Sequence, residues 1–191
     1  MKNSEFITGK VPITKEEVRA ISISKLALVN AKTFIDVGAG TGSVSIESAY
    51  NYPDLNVISI ERNDAALELI KENVKKFNLK NVEVIKGYAP ISIDLDRQVD
   101  AIFIGGTGNN LEEIIAWSKN TLITGGRLVA NFIILETFNQ TLNLIRKHGF
   151  KEIDVCVLNV SKLEKLGKGE YFKPLNPIYI ISCEKGENDD E

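Results

Sequence analysis

The sequence of 191 residues contains only one histidine and two cysteines, which restricts the chemistry open to it. Cys156 and Cys183 lie in apolar stretches without the spacing of metal ligands, so we expect reduced thiols and no metal site. His148 precedes Gly149 at the predicted end of a helix, where an imidazolium would favour the helix dipole, so we expect a structural role. No serine–histidine–aspartate or cysteine–histidine set is visible, and the sequence identifies no catalytic residue.

Long apolar runs and an excess of positive charge are also missing. No stretch approaches the ~20 apolar residues that span a bilayer. Residues 1–10 lack the apolar core of a signal peptide, so we expect a cytoplasmic protein with no membrane contact. The net charge of −3 argues against general nucleic-acid binding. It leaves open a local basic patch that serves an RNA substrate.

The composition is that of a globular protein, with 43% hydrophobic and 26% charged residues. The length predicts one domain over residues 1–191, with a lid-like arm at 1–13 and a frayed tail at 185–191.

Predicted strands and helices alternate along the chain. The strands are expected at 34–37, 56–60, 82–86, 101–104, 127–134, 151–160 and 177–183, and the helices at 14–29, 43–50, 65–77, 111–120 and 137–148. Thr14 with Glu17 forms the pattern of a capping box, Asp64 is the expected cap of the third helix, and a loop rich in lysine and glycine separates the last two strands. This order predicts an α/β fold with a doubly wound, mostly parallel sheet of seven strands, one of them antiparallel.

Residues 34–44, FIDVGAGTGSV, join an apolar strand to a glycine-rich turn. The turn has GxGxG spacing, not the GxGxxG of dinucleotide sites. Asp36 would repel a pyrophosphate but could pair with a cation, and Glu61, after the next apolar run, could accept hydrogen bonds from both hydroxyls of a ribose. We therefore expect a nucleoside pocket for a ligand with an amine or sulfonium, which S-adenosylmethionine fits. The alternative is a tight turn without a ligand.

This motif, Glu61 and the segment KGYAP at 86–90 resemble the class I S-adenosylmethionine-dependent methyltransferases. In that family the loop after the third strand borders the adenine, often with an acidic side chain. Tyr88 stands at that position here, so the resemblance implies adenine recognition through backbone groups near Ala89 and through stacking.

The loop after the fourth strand, IGGTGNN at 104–110, should lie beside the transferred methyl group. It lacks the (N/D)PP(Y/F) motif of amine methyltransferases, and no cysteine is near it to attack a pyrimidine. Its three glycines leave room for a large, flat acceptor, although a flexible loop without a role would look the same.

Four strings are similar to the decarboxylating cobalt-precorrin-6B C15-methyltransferases: residues 5–19, residues 36–47, GGTG at 105–108 and NFIILET at 131–137. The resemblance implies a cobalt-bearing tetrapyrrole as acceptor, methylation at C15 with loss of carbon dioxide from the C12 acetate, and a homo-oligomer such as a tetramer. The cofactor contacts that it implies are Thr14, Gly38, Ala39, Gly40, Thr41, Gly42, Glu61 and Ala89.

A substrate with many carboxylates needs local positive charge from an acidic protein. We expect this charge from the N-terminal part or from the lysine-rich loop, and a merely solvated surface is the alternative. The substrate-binding candidates are Lys10, Arg19, Gly105, Gly106, Thr107, Gly108 and Glu136, with Lys15, Lys162, Lys165, Lys168 and Lys173 as further cations. Because no nucleophile is visible, we expect catalysis by proximity and orientation, without a covalent intermediate.

Three other functions share the cofactor motif. A small RNA methyltransferase would show a basic face, and a protein-carboxylate methyltransferase is a weaker alternative. A non-catalytic cofactor-binding subunit would have an intact cofactor pocket but no open acceptor cleft.

Overall fold

The computed structural model describes residues 1–92 and 98–187. The helices are α1 (Glu16–Leu26), α2 (Ser43–Asn51), α3 (Asp64–Lys76), α4 (Leu111–Thr121) and α5 (Leu135–Lys147), and a short 3-10 helix covers Asn3–Glu5. The strands are β1 (Thr33–Val37), β2 (Asn56–Glu61), β3 (Val82–Lys86), β4 (Val99–Ile104), β5 (Leu122–Phe132), β6 (Phe150–Leu158), β7 (Ser161–Leu166), β8 (Gly169–Pro174) and β9 (Ile178–Lys185).

Seven strands form one sheet in the order β3-β2-β1-β4-β5-β9-β6. The pairs β1–β2, β2–β3, β1–β4 and β4–β5 are parallel, whereas β9 runs antiparallel to both β5 and β6. The predicted doubly wound sheet with one reversed strand is therefore confirmed.

The central strands are apolar on both faces because helices cover both sides of the sheet. On one face Ile35 and Ile102 belong to a buried cluster with Ile114 of α4 and Ile145 of α5. On the other face Phe34 and its neighbours pack with side chains of α1 and α2, including Leu26 and Val44. The helices after β1 and β4 thus cover opposite faces, and the loops that lead into them diverge at the carboxyl edge of the sheet. Such a divergence is where doubly wound folds bind ligands.

The lysine- and glycine-rich segment is a β-hairpin, not the predicted loop. β7 and β8 form a separate two-stranded antiparallel sheet in which Leu163 pairs with Phe172, and Gly167 takes φ +60° in the turn. Most side chains of these two strands are exposed on both faces, and lysines interrupt the alternation of apolar and polar residues. A hydrophobic periodicity therefore does not identify these strands.

Two helix starts also differ from the prediction. α1 begins after Lys15 with no side-chain cap, so Thr14 is not its N-cap and the capping box with Glu17 does not form. α3 is capped by Asn63, whose side chain accepts a hydrogen bond from Ala66 N at 3.1 Å, and Asp64 is the first helical residue.

At the C-terminal end, β9 extends through Lys185, the first residue of the predicted tail at 185–191. Residues 188–191 of that prediction lie outside the described part of the chain. Among the described helices, none has both the length and the apolar character needed to cross a bilayer.

The starts of α1 and α3 differ in side-chain capping, and this difference should appear in the free energy of unfolding of variants. Asn63→Ala should lower the free energy of unfolding by about 1 kcal/mol, because it leaves an N-terminal amide of α3 without its acceptor. Thr14→Ala removes no capping bond and should cost less than about 0.5 kcal/mol. Denaturant unfolding of the two variants checks the order, and an equal loss from both would contradict the assignment of the caps.

Candidate functional site

The glycine-rich turn after β1 meets the loop after β4 in a backbone contact. Gly38 N donates to Ile60 O at 2.9 Å, and Gly105 N donates to Val37 O at 2.9 Å, so each loop is tied to the neighbouring strands. A Cβ at Gly38 would lie 2.7–2.9 Å from backbone atoms of Gly106, and Gly38 has φ +71°. No other residue fits this position without displacing one loop. The contact forms a ridge with a cavity on each side.

The smaller cavity, of about 170 Å³, lies on the β2 and β3 side of the ridge. Glu61 is 9% exposed at its wall. Its Oε2 accepts from Gly40 N at 2.9 Å, and its Oε1 accepts from Arg62 N at 2.8 Å and Asn63 N at 2.9 Å. These three bonds fix the carboxylate and occupy three of its roughly four acceptor positions. A hydroxyl pair that binds Glu61 would therefore use the free position and compete with Gly40 N.

An aromatic side chain stands at the mouth of the smaller cavity. Tyr88 is 60% exposed, with the Arg62 guanidinium 5.2 Å from its ring centroid and Arg62 Nη1 donating to its hydroxyl at 3.2 Å. Ala89, beside it, is buried, and Gly87 and Ile114 complete this part of the wall. The cavity thus offers an apolar slot with a stacked aromatic, which suits a planar heterocycle.

The larger cavity, of about 660 Å³, lies on the other side of the ridge, between the N-terminal arm and the start of α5. Gly38, Thr107 and Gly108 line both cavities, so the two spaces adjoin at the ridge. The walls of the larger cavity are mostly apolar and include Val11, Phe103, Phe132, Ile133, Ile134 and Ile178. The exposed side chains of Ile133 and Ile134 extend this surface to its rim. It has the size and character of a site for a substantial organic ligand.

Asp36 is the charged group at the floor of the larger cavity, and it is 1% exposed. Its Oδ2 accepts from Ser45 Oγ at 2.5 Å and from Ser45 N at 3.2 Å, and Ser59 Oγ donates in turn to Ser45 Oγ at 2.8 Å. Burial raises the pKa of Asp36 to about 7, against the lowering effect of the Ser45 bonds, and the charge of Glu61 adds to the rise.

The other carboxylate oxygen of Asp36, Oδ1, is buried and has no hydrogen-bond partner among residues 1–92 and 98–187. A buried acceptor without a donor is costly, and a cationic donor group in the cavity would remove that cost. The site therefore fits a ligand that carries an ammonium or similar group.

Asn131 at the end of β5 supplies a second acceptor to this cavity. Ser22 Oγ donates its single proton to Val18 O at 2.8 Å, so it can only accept from Asn131 Nδ2, also at 2.8 Å. This chain of bonds fixes the orientation of the amide and leaves Asn131 Oδ1 buried without a partner in the described structure. Asn131 was not among the predicted site residues, although it opens the NFIILET string.

Ten of the predicted site residues line one or both cavities: Thr14, Gly38, Ala39, Gly40, Glu61, Ala89, Gly105, Gly106, Thr107 and Gly108. Thr41 and Gly42 line neither. Thr41 is 1% exposed with its carbonyl bound to Asn73, and a Cβ at Gly42 would contact Ile70 of α3. Both residues shape the turn from its rear.

The prediction that Arg19 binds the substrate is corrected by the structure, because Arg19 is fully buried and cannot meet a substrate. Its guanidinium pairs with Glu47 and donates to Asn3 Oδ1, Thr14 O and Met1 O. A helical spacing already indicates this burial, since positions 19, 22, 23 and 26 form one inward face of α1.

The remaining charged candidates are scattered. Lys10 is exposed on the arm, Lys15 lines the larger cavity, and Glu136 is exposed on the first turn of α5 next to cavity-lining residues. Lys162 is paired with Glu17, a bond that raises the pKa of Lys162, and Lys173 is paired with Glu164 at 3.1 Å. Their charges are compensated, while Lys165 and Lys168 are exposed on the hairpin.

The residues with the most reactive side-chain types are away from this region. His148 follows α5 and lines neither cavity, both cysteines are free, and burial raises the pKa of Cys183 to about 12. In the described ranges, no group of three or more His, Cys, Asp or Glu side chains could hold a metal ion.

Known proteins share both the sequence pattern and the fold of this chain. The family model for a precorrin methyltransferase domain matches residues 6–185. The cobalt-precorrin-6B C(15)-methyltransferase (decarboxylating) of Salmonella typhimurium is 47% identical over 189 residues, which cover 98% of this chain and 97% of that protein.

Two solved structures are similar over nearly their full length. The precorrin-6y C5,15-methyltransferase of Geobacter metallireducens gives a TM-score of 0.89 at 38% identity, covering 97% of each chain. A precorrin 8w decarboxylase of Methanobacterium thermoautotrophicum gives a TM-score of 0.85 at 30% identity, covering 96% of this chain and 98% of that one. This chain therefore belongs to the precorrin methyltransferase domain family.

Proposed function

We propose that this protein is an S-adenosylmethionine-dependent methyltransferase that methylates C15 of cobalt-precorrin-6B and releases carbon dioxide from its C12 acetate. The observation that carries the proposal is the pair of cavities that adjoin at the Gly38–Gly106 ridge. One side offers a nucleoside slot and the other an open apolar space with a buried carboxylate. The relatives that act on precorrins supply the identity of the acceptor.

The residues present fit the cofactor. Glu61 would take the ribose hydroxyls, and Tyr88 with Ala89 would border the adenine in the smaller cavity. Asp36 Oδ1 would accept from the ammonium of the methionine part in the larger cavity, which gives this buried oxygen its missing donor. The bound cofactor supplies an electrophilic methyl group on a sulfonium, whose sulfur keeps the bonding pair when the methyl is transferred.

The acceptor would lie in the outer part of the larger cavity. Ile133 and Ile134 provide an apolar surface against a flat macrocycle, while Lys10 and Lys15 place positive charge near its carboxylates. Cobalt enters as part of this substrate.

The electrons balance without a protein nucleophile. The methyl group forms a bond with an electron-rich C15 of the macrocycle. This bond uses a π pair of the ring and leaves a positive charge there. Loss of carbon dioxide from the acetate releases the former carbon–carbon bonding pair, which passes into the conjugated ring and neutralises that charge. The methylene that remains on C12 becomes a methyl group by taking up one proton while the ring releases one. The glycines of the β4 loop keep side chains away from the acceptor, and the cavity walls orient it, so proximity supplies the rate increase, worth up to about 7–11 kcal/mol.

The hairpin supports a homo-oligomer as part of the proposal. Leu163, Leu166 and Phe172 are 57%, 68% and 69% exposed, and Val157 of β6 adds further apolar surface at 49%. Monomers rarely leave such a group of side chains in water, so we place contacts between copies on this surface. The cytoplasmic location stays a prediction of the sequence.

Turnover with a labelled methyl group tests the proposal directly. The protein, incubated with methyl-labelled S-adenosylmethionine and cobalt-precorrin-6B, should give a product that gains one methyl and loses the mass of one carbon dioxide. Methyl gain without the mass loss would retain a methyltransferase and reject the decarboxylating step. Absence of methyl gain with this substrate would reject the acceptor.

Asp36→Asn should have opposite effects on stability and on cofactor binding. Because the folded protein raises the pKa of Asp36 to about 7, the contribution of Asp36 to stability should fall as the pH rises from about 4 to 7, and the variant lacks this loss. Relative to the natural protein, the variant should thus gain about 2 kcal/mol more at pH 8 than at pH 5.

Binding of S-adenosylmethionine by Asp36→Asn should weaken by about tenfold or more, since the ammonium loses its charged partner. Asp100→Asn is the matched control, because that carboxylate accepts from Lys32 N and Thr33 N at the opposite edge of the sheet. Urea unfolding at two pH values and calorimetric titration measure both effects. Undiminished cofactor affinity in Asp36→Asn would remove Asp36 from the cofactor site.

Charge reversal at Lys10 tests the acceptor side. Lys10→Glu should raise the KM for the tetrapyrrole about two- to fivefold, as expected for an exposed charge, and leave the cofactor Kd unchanged. Lys80→Glu is the control, since Lys80 is also exposed but precedes β3 at the other edge of the sheet. Steady-state kinetics at low salt would show the difference, and equal KM values for the two variants would mean that Lys10 does not meet the substrate.

A further inference from the structure

The N-terminal arm is held by buried side chains at two points. Between them, residues 8–13 cross the glycine-rich turn, and we call this segment the strap. Val11 N donates to Thr8 O at 3.1 Å within it, and Val11, Pro12 and Ile13 line the larger cavity. A Cβ at Gly40 would lie 3.6 Å from Pro12 O, so the strap runs close over the turn.

Asn73 of α3 holds the arm just before the strap. It is fully buried, its Oδ1 accepts from Ile7 N at 2.8 Å and its Nδ2 donates to Ile7 O at 2.8 Å. The same Nδ2 donates to Thr41 O at 3.3 Å. One amide therefore joins the arm to the glycine-rich turn, the two walls between which the cofactor would lie.

Arg19 of α1 holds the arm just after the strap. Its Nη1 donates to Thr14 O at 2.6 Å and to Asn3 Oδ1 at 2.9 Å, and its guanidinium lies 4.8 Å from the ring centroid of Phe6. Glu47 of α2 neutralises the buried charge. The guanidinium has donors in a fixed fork, so it can hold several carbonyls of the arm at once.

We propose that Asn73 and Arg19 are positioning residues which hold the strap as a fixed wall across the cofactor's glycine-rich turn. The inference rests on the proposed use of S-adenosylmethionine. If either residue is lost, the strap leaves its place for part of the time. The apparent cofactor affinity is then multiplied by the fraction of time for which the wall is formed. The arm is then a fixed part of the cofactor site and not a lid that opens as a whole.

A matched pair of asparagines separates this role from simple stabilisation. Asn81 also donates from its side chain to backbone carbonyls, those of Ala49, Tyr52 and Leu55 at 3.2, 3.3 and 2.8 Å, but it precedes β3 at the edge of the sheet away from the cavities. Asn73→Ala and Asn81→Ala should both lower the unfolding temperature, because each removes a side-chain donor from buried or partly buried backbone carbonyls.

Only Asn73→Ala should change the site. In the ligand-free protein, amide exchange of the strap should become at least about tenfold faster, and calorimetry should show an S-adenosylmethionine Kd about tenfold higher, as for a wall formed one tenth of the time. Asn81→Ala should leave both values within about twofold. If Asn73→Ala does not fold, Arg19→Lys serves instead: it keeps a cation beside Glu47 but loses the fork, and both readouts should move in the same direction.

Unchanged exchange in the strap, or the same change in both asparagine variants, would overturn the positioning role. Faster exchange with an unaltered cofactor Kd would show that the strap is held but does not serve the site, which also rejects the inference. Failure of the unsubstituted protein to bind S-adenosylmethionine would count against the proposed function, and the exchange measurement in the ligand-free protein would still decide whether Asn73 holds the strap.

Discussion

The contact between Gly38 and Gly106 determines the arrangement of the whole site. Two loops that lead to helices on opposite faces of the sheet touch here through their backbones, with no room for a side chain between them. The touching backbones divide the carboxyl edge into two spaces that differ in size and polarity. Transfer of a small group between a nucleoside-linked donor and a large acceptor needs such a division, because each partner must be held separately while the reacting atoms meet.

Buried polar side chains make this division rigid. Asp36, Asn73, Arg19 and Ser22 are each within 1% of full burial, and each binds backbone or hydroxyl groups near the cavities. Such groups are costly to bury, so nearly all of their polar atoms are hydrogen-bonded within the protein, and in the described structure Asp36 Oδ1 is the exception that a ligand would satisfy. Asn73 and Arg19 bind backbone groups of two irregular segments, the arm and the glycine-rich turn, while Asp36 and Ser22 hold the side chains of Ser45 and Asn131. The hydrophobic core positions the sheet, and this second set of contacts positions the loops upon it.

The sequence predicts the strands and the cofactor motif well, because both depend on local patterns. Phe34, Ile35 and Val37 are apolar, the glycines follow at fixed spacing, and Glu61 ends the next apolar run. The hairpin is missed because its lysines interrupt any periodicity.

Arg19 and Asn73 required a different inference. Both are polar residues at inward positions of a helix, Asn73 sharing its face with Ile70 and Phe77. The spacing indicates that they are buried, but it does not say which distant backbone they bind. The backbone partner depends on the path of the arm, which the local sequence pattern does not specify. The prediction that Arg19 meets the substrate used its charge alone and did not take this spacing into account.

The hydrogen bond from Ser22 to Val18 affects how the methyl acceptor can lie in the larger cavity. Because the hydroxyl proton is already used, Asn131 cannot turn its amide. Its Oδ1 is therefore a fixed acceptor in the cavity, in addition to Asp36 Oδ1, which would bind the ammonium of the cofactor. Neither can receive another carboxylate without repulsion. A macrocycle with acidic groups around its edge can therefore enter only in orientations that keep those groups away from the floor of the cavity. The two oxygens thus determine which edge of the ring enters first, because they repel every edge that carries a carboxylate there.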